Sequence, residues 1–89
     1  MKSTVIKRSI ALNGQRTSIS LEDEFWSPLK DIAYERRVTL SKLIASIDAD
    51  RQQFTDLSSA IRLSVLEFYK ERVARLEQQA KPVQRRKRR

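Results

Sequence analysis

Cysteine and histidine are both absent from this chain of 89 residues. Without them the sequence lacks the usual ligands of a transition metal, the thiol nucleophile and the side chain that most often acts as a general base. A disulfide scaffold is excluded for the same reason. The sequence therefore predicts no metal site and no bound cofactor, and it indicates that the protein is not an enzyme.

Long apolar segments are also missing. No run approaches the roughly 20 residues that a membrane-spanning helix needs, and the N-terminus lacks the apolar centre of a signal peptide. Apolar residues make up 39% of the chain, which suffices for one small domain with a small core. A domain of this size gains core by dimerisation, so a second copy of the chain is an expected partner.

Positive charge is concentrated at the two ends of the chain. The formal net charge is +8, of which residues 1–20 carry +4 and residues 81–89 carry +6. The residues between them hold nine basic and eleven acidic groups and are nearly neutral. This distribution indicates contact with a polyanion. We expect residues 80–89 to form a disordered basic tail that meets phosphate groups through Arg85, Arg86, Lys87, Arg88 and Arg89.

Residues 4–21 predict a β-hairpin. Asn13-Gly14 is the strongest short-range turn signal, because both central positions of a type I′ turn need positive φ. A two-residue turn there places Leu12 opposite Gln15. One face then collects Ile6, Ile10, Leu12, Thr17, Ile19 and Leu21, and the other collects Lys7, Ser9, Ala11, Arg16, Ser18 and Ser20, with Arg8 as the one exception to this sorting. The alternative is that residues 1–15 form a mobile basic arm.

Three helices are expected after the hairpin. The first covers residues 22–36 as one element despite Pro28, and the second follows a Thr39 N-cap and ends between Ile47 and Asp50. The third begins at an Asp56 cap and extends to about Gln79. Its apolar residues cover more than one face, which predicts packing both on its own protomer and on a partner.

Four segments carry a resemblance to a known family: residues 7–10 (KRSI), 16–22 (RTSISLE), 25–26 (FW) and 57–63 (LSSAIRL). Together with the order of strand, helix and helix, they resemble the ribbon-helix-helix superfamily of Arc/MetJ-like repressors over about residues 16–47. The match is closest to a bacterial group of ribbon-helix-helix domain proteins. The implied fold is mainly α with a short β-ribbon: a core at residues 16–50, preceded by residues 1–15 and followed by a dimer-packing helix at residues 56–79.

The resemblance implies a homodimer that binds double-stranded DNA. In the family, strands from two protomers pair antiparallel and enter the major groove. By position, base contacts fall to Arg16, Ser18 and Ser20, and phosphate contacts to the start of the second helix at Thr39, Leu40, Ser41 and Lys42. The basic charge of residues 1–20 adds Lys7 as an expected phosphate contact. The dimer core would comprise Thr17, Ile19, Leu21, Phe25, Leu29, Ile32, Leu43, Ile44, Ile61 and Val65.

A conflict of dimensions keeps other hypotheses open. Two paired hairpins would form a four-stranded sheet with three spacings of about 4.8 Å, whereas the major groove is about 12 Å wide. Either residues 1–12 move away on DNA or the protein does not use the groove as its relatives do. We expect a bacterial or phage transcriptional repressor in the cytoplasm, associated with the nucleoid. The alternatives are an antitoxin with a protein partner on the third helix, or a protein-interaction module that has kept the fold without DNA binding.

Overall fold

The computed structural model describes residues 4–80, and it opens with the predicted hairpin. Strand β1, Val5–Leu12, pairs antiparallel with strand β2, Gln15–Glu22. Asn13 and Gly14 connect them with φ values of 52° and 81°, as a type I′ turn requires. The register places Leu12 opposite Gln15, Ile10 opposite Thr17 and Arg8 opposite Ile19, which confirms the predicted sorting of the two faces.

Three helices follow the hairpin, and their bounds agree closely with the prediction. Helix α1 covers Asp23–Arg36, α2 covers Leu40–Asp50 and α3 covers Leu57–Ala80. Helix α1 starts one residue later than expected because Glu22 still has extended backbone and belongs to β2. Pro28 lies inside α1, six positions along its 14 residues, so α1 is one element.

Side-chain caps begin two of the helices. The hydroxyl of Thr39 accepts a hydrogen bond from the backbone N–H of Lys42 at 3.0 Å, and the carboxylate of Asp56 accepts from the N–H of Ser59 at 2.8 Å. Both caps satisfy backbone donors that a helix leaves unpaired in its first turn. The Ser59 N–H also holds the pKa of the Asp56 carboxyl below its usual range.

One core lies between the inner face of the hairpin and the three helices. Leu21, Leu29, Ile44 and Ile61 are fully or almost fully buried in it. They come from β2 and from each helix in turn, so every element except β1 contributes a fully buried side chain, and β1 contributes Ile10. The hairpin therefore packs against the three helices and covers one side of the core.

The residues predicted for a dimer core lie largely inside the single chain. Eight of the ten are buried there without a partner, namely Ile19, Leu21, Leu29, Ile32, Leu43, Ile44, Ile61 and Val65. Thr17 and Phe25 are half-buried. Direct contact with a partner would thus fall mainly to side chains around this core. Strand β2 pairs with β1 of its own chain and keeps one free edge.

Helix α3 divides into two halves with different surroundings. Its first half contributes Ala60, Ile61 and Val65 to the core. Beyond Arg72, every residue up to Ala80 is exposed. Within residues 4–80, no helix has the length and apolar character to cross a membrane.

Candidate nucleic-acid interface

The outer face of the hairpin is an exposed polar surface. Strand β2 contributes Arg16, Ser18 and Ser20, and strand β1 contributes Lys7 and Ser9 beside them. Lys7 lies opposite Ser20, and Ser9 lies opposite Ser18. All five side chains are exposed, so each is accessible to a ligand that approaches the sheet from outside. The structure therefore brings Lys7 together with the three side chains predicted to contact bases.

Arg16 is held loosely on this face. Its Nη1 donates to the hydroxyl of Ser9 at 3.2 Å, and both side chains are exposed. Although the donor is charged, a hydrogen bond of this length that is open to solvent has a small net free energy, because water competes for both groups. The guanidinium therefore keeps most of its five N–H donors for an incoming acceptor.

The one acidic side chain of the outer face is drawn away from it. Glu22 ends β2, and its carboxylate accepts a hydrogen bond from Nε of Arg62 on α3 at 2.9 Å. Both side chains are at least two-thirds buried. The Arg62 guanidinium holds the pKa of the Glu22 carboxyl below its usual range, so the carboxylate stays charged and paired. The charge of Glu22 is therefore compensated by Arg62 within the protein itself.

Arg8 occupies the inner side of β1, among the core residues. Its guanidinium donates twice to the carbonyl oxygen of Leu21, at 3.1 and 3.0 Å, and once to the carboxylate of Asp23 at 2.7 Å. The same group stacks over Trp26, 4.7 Å from the ring centroid. These contacts tie β1 to the junction of β2 and α1. The sequence pattern placed Arg8 on this face as an exception, and it gave no local signal for the contacts with Asp23 and Trp26.

The free edge of β2 borders an open groove. The groove is lined by β2 residues from Thr17 to Ser20 and by the junction of α2 and α3, including Asp48, Arg51 and Ser58. Because β2 pairs with β1 on one side alone, half of its backbone N–H and C=O groups face this groove. Such an edge can accept a further strand.

The start of α2 was predicted to bind phosphate through backbone N–H groups. One of these donors, the Lys42 N–H, is already used by the Thr39 hydroxyl. A phosphate at this position would have to share or displace that hydrogen bond. The side chains of Thr39 and Lys42 are exposed, whereas those of Leu40 and Ser41 are half-buried. The predicted phosphate contacts at residues 85–89 lie outside the described residues.

With cysteine and histidine absent, carboxylates are the remaining candidates for metal ligands within residues 4–80. No group of three or more acidic residues in this part of the chain is arranged to hold a metal ion. The carboxylates of Glu22 and Glu35 are each bonded to an arginine on α3, and these bonds fix the position of that helix.

Comparison with known proteins agrees with this architecture. The family model described as the ribbon-helix-helix domain matches residues 5–69, which span the hairpin, α1, α2 and the first half of α3. Searches of curated proteins and of solved structures each found no match. Because the family model covers well over half of the sequence, the chain belongs to the ribbon-helix-helix family.

Proposed function

We propose that this protein is a homodimeric regulator that binds double-stranded DNA with the outer face of its hairpin, and that it acts as a transcriptional repressor in a bacterium or phage. One observation carries the proposal. The outer face presents Lys7, Arg16 and three serines to solvent, and its only acid, Glu22, is compensated by Arg62. Arginine and serine are suited to base edges, and lysine to phosphate.

Pairing of β2 with β2 of a second copy would put the base-contacting residues at the centre of the sheet. The strand order would be β1, β2, β2, β1. Arg16, Ser18 and Ser20 then occupy the two middle strands, and Lys7 and Ser9 occupy the outer ones. Such a sheet is about 14 Å wide between its outer strands, slightly more than the groove width of about 12 Å. The outer strands would therefore meet the phosphate groups at the groove edges while the middle strands face the bases.

The contacts of Arg8 argue against release of β1 on DNA. Moving β1 away would expose Ile10, which is 7% exposed, and would break the hydrogen bonds from Arg8 to Leu21 and Asp23. A hydrogen bond that involves a charged group is worth about 1.5–3 kcal/mol. The bonds to the Leu21 carbonyl are partly buried, whereas the one to Asp23 is exposed and contributes less. We therefore favour a four-stranded sheet lying across the groove over a two-stranded ribbon freed from residues 1–12.

A salt titration separates base contacts from phosphate contacts. We expect Arg16→Ala to weaken binding to the preferred duplex by about 1–3 kcal/mol and to leave binding to random duplexes nearly unchanged. Deletion of residues 81–89 removes six positive charges and should weaken binding to both duplexes by a similar factor, with a shallower dependence on salt.

Arg75→Ala is the matched control, because it removes the same charge from an exposed position on α3. The measurement is the dissociation constant for selected and random duplexes at several salt concentrations. Equal binding of the selected duplex by the parent and Arg16→Ala would show that the hairpin face does not discriminate sequence. An unchanged salt slope after the tail deletion would remove the tail from the interface.

A second candidate is an antitoxin or another protein-binding module. The observation in its favour is the set of exposed apolar side chains on α3, which a protein partner could cover: Leu63, Leu66, Val73 and Leu76. The two candidates differ in one outcome of the titration. A protein that has kept only the fold would show no preference for any duplex at physiological salt.

A further inference from the structure

The exposed half of α3 carries an apolar seam. Leu66 and Val73 are each 53% exposed and Leu76 is 57% exposed, although all three are large aliphatic residues. Arg72 is the last residue of α3, in the described part of the chain, that bonds to another helix, through Glu35. The helix therefore projects beyond its own domain with an apolar side uncovered.

The spacing of this seam is that of a coiled coil. Residues 66, 69, 73, 76 and 80 are Leu, Tyr, Val, Leu and Ala, separated by steps of three, four, three and four. These steps keep one apolar line along the helix, which can face a second helix. What distinguishes this line is the exposure of Leu66, Val73 and Leu76. Ile61, Val65 and Phe68 form a neighbouring stripe with the same steps of four and three, but this stripe packs in the core of its own chain, and Tyr69 is partly buried against that core.

Two charges of opposite sign flank the seam. Lys70 and Glu77 occupy equivalent positions one heptad apart, next to the apolar line. Neither forms an ion pair within residues 4–80, whereas the neighbouring Arg72 is bound to both carboxylate oxygens of Glu35. At a distance of seven residues, Lys70 and Glu77 are about 10 Å apart along the helix and cannot bond to each other.

We propose that this seam pairs antiparallel with the same seam of a second copy of the chain. In that arrangement Lys70 lies opposite Glu77 of the second copy, and Glu77 opposite Lys70, so a two-fold axis forms two identical ion pairs. The same register sets Val73 against Leu76 of the second copy and Tyr69 against Ala80. The small Ala80 leaves room for the ring of Tyr69.

A parallel pair is less favourable for this sequence. It would place Glu77 beside Arg72 of the second copy, which is already bonded to Glu35 in its own chain. Lys70 would then face Val65, a buried residue without charge. The antiparallel pair satisfies both charges, and it needs none of the residues of the hairpin face, so it is independent of DNA binding.

Single cysteines provide a direct test, because the chain has none of its own. Full-length Val73→Cys and Leu76→Cys proteins are refolded together and oxidised mildly, and the disulfide products are separated by mass. The antiparallel pair predicts that the mixed product exceeds each like-with-like product by about fivefold or more, because residues 73 and 76 face each other directly. Excess of the like-with-like products would establish a parallel pair and overturn the proposal.

Ala74→Cys is the matched control, since position 74 is exposed but lies outside the seam. If two Ala74→Cys chains form a disulfide as fast as the mixed pair does, the disulfides arise from random collision and not from a specific interface, and the proposal fails. A protein partner of another kind would also leave the mixed pair uncoupled in the purified protein, and this result would overturn the proposal too.

Charge reversal tests the register. Lys70→Glu, introduced into both cysteine proteins, should slow formation of the mixed disulfide roughly tenfold at low salt, and Glu77→Lys should do the same. The Lys70→Glu, Glu77→Lys double variant should restore the rate to within about twofold, because the pairs are exchanged and not lost. Failure of the double variant to recover would refute the register. DNA affinity of the same variants is measured separately, so loss of DNA binding would not be confused with loss of the seam.

Discussion

Arg8 and Arg16 belong to the same hairpin and have opposite roles. Arg8 faces inward, with 13% of its side chain exposed, and its guanidinium is bound to a carbonyl, a carboxylate and an aromatic ring. Arg16 faces outward, is exposed and has one weak hydrogen bond to Ser9. The alternation of a β-strand places the two side chains on opposite faces. Residue type therefore does not decide which arginine holds the fold and which is free to bind.

The two faces of the hairpin differ as a whole in how their polar and charged groups are paired. On the inner face, the charged side chain of Arg8 is bonded to a carbonyl and a carboxylate, because an unpaired charge near the core is costly. On the outer face, the polar groups are left without strong internal partners, and the single acid is removed by Arg62. Polar side chains that lack strong hydrogen-bond partners in their own chain can form hydrogen bonds to another polar molecule. Substitutions on the two faces should thus affect different measurements.

The largest effect is expected from Ile19→Ser on the inner face. Ile19 is 5% exposed, and the change both opens a cavity and buries a hydroxyl without a partner. We expect the free energy of unfolding to fall by roughly 3–5 kcal/mol, which would unfold much of a small domain. Ser18→Ala is the control on the outer face and should change the stability by less than about 0.5 kcal/mol. Urea unfolding compares them, and similar losses would contradict the division into two faces.

Arg8→Ala should have the next largest effect on stability. It leaves the Leu21 carbonyl without its charged donor and Asp23 without its ion-pair partner, at a cost of about 1.5–3 kcal/mol. Hydrogen exchange should show β1 opening more often than in the parent protein. Arg16→Ala is the matched variant of the other face and should leave both stability and exchange unchanged. Destabilisation by Arg16→Ala as large as that by Arg8→Ala would show that the two arginines do not differ in their contribution to stability.

The sequence predicted the hairpin, its register and the three helices well, and the reasons are local. Asn13-Gly14 determines the turn, alternation determines the faces, and Thr39 and Asp56 mark helix starts. The pairing of Arg62 with Glu22, 40 positions away, has no local signal because it depends on how α3 crosses the end of β2. The position of Arg8 opposite Ile19 was predicted, but its contacts with Asp23 and Trp26 were not, since these residues approach it only in the folded chain. The functional assignments of Arg16, Ser18 and Ser20 depend on the family resemblance and stay predictions.

A smaller effect is expected at the turn, which serves both faces equally. Gly14 has φ of 81°, and a Cβ added there would meet no atom within 4 Å. Gly14→Ala therefore costs only backbone strain, and we expect a loss of about 1 kcal/mol. D-alanine at the same position, introduced by chemical synthesis, should restore or raise the stability, since its mirror geometry favours positive φ. Equal losses for both alanines would point to a steric cause that the structure does not contain.

The smallest effect concerns pH and the pairing that removes Glu22 from the outer face. The Arg62 guanidinium lowers the pKa of Glu22 in the folded chain, so the pair adds stability above the unfolded pKa of the carboxyl. That stability is lost as the pH falls from the unfolded pKa of the carboxyl, about 4.5, through the lower folded pKa. Glu35 and Asp56 have pKa shifts in the same direction and contribute to the same loss.

Arg62→Gln isolates the contribution of Glu22 to the pH dependence of stability, because Glu35 and Asp56 keep their main partners in this variant. We expect its unfolding free energy to fall less steeply on acidification than that of the parent, measured by urea unfolding at pH 6 and at several lower values. Arg75→Gln, which removes a charge without breaking the bond to Glu22, should retain the steep dependence of the parent. Arg62→Gln should also weaken DNA binding at neutral pH, because the freed carboxylate of Glu22 would repel phosphate beside Lys7 and Ser20. Loss of the acid-dependent stability without any loss of DNA affinity would mean that Arg62 fixes α3 and has no part in preparing the outer face.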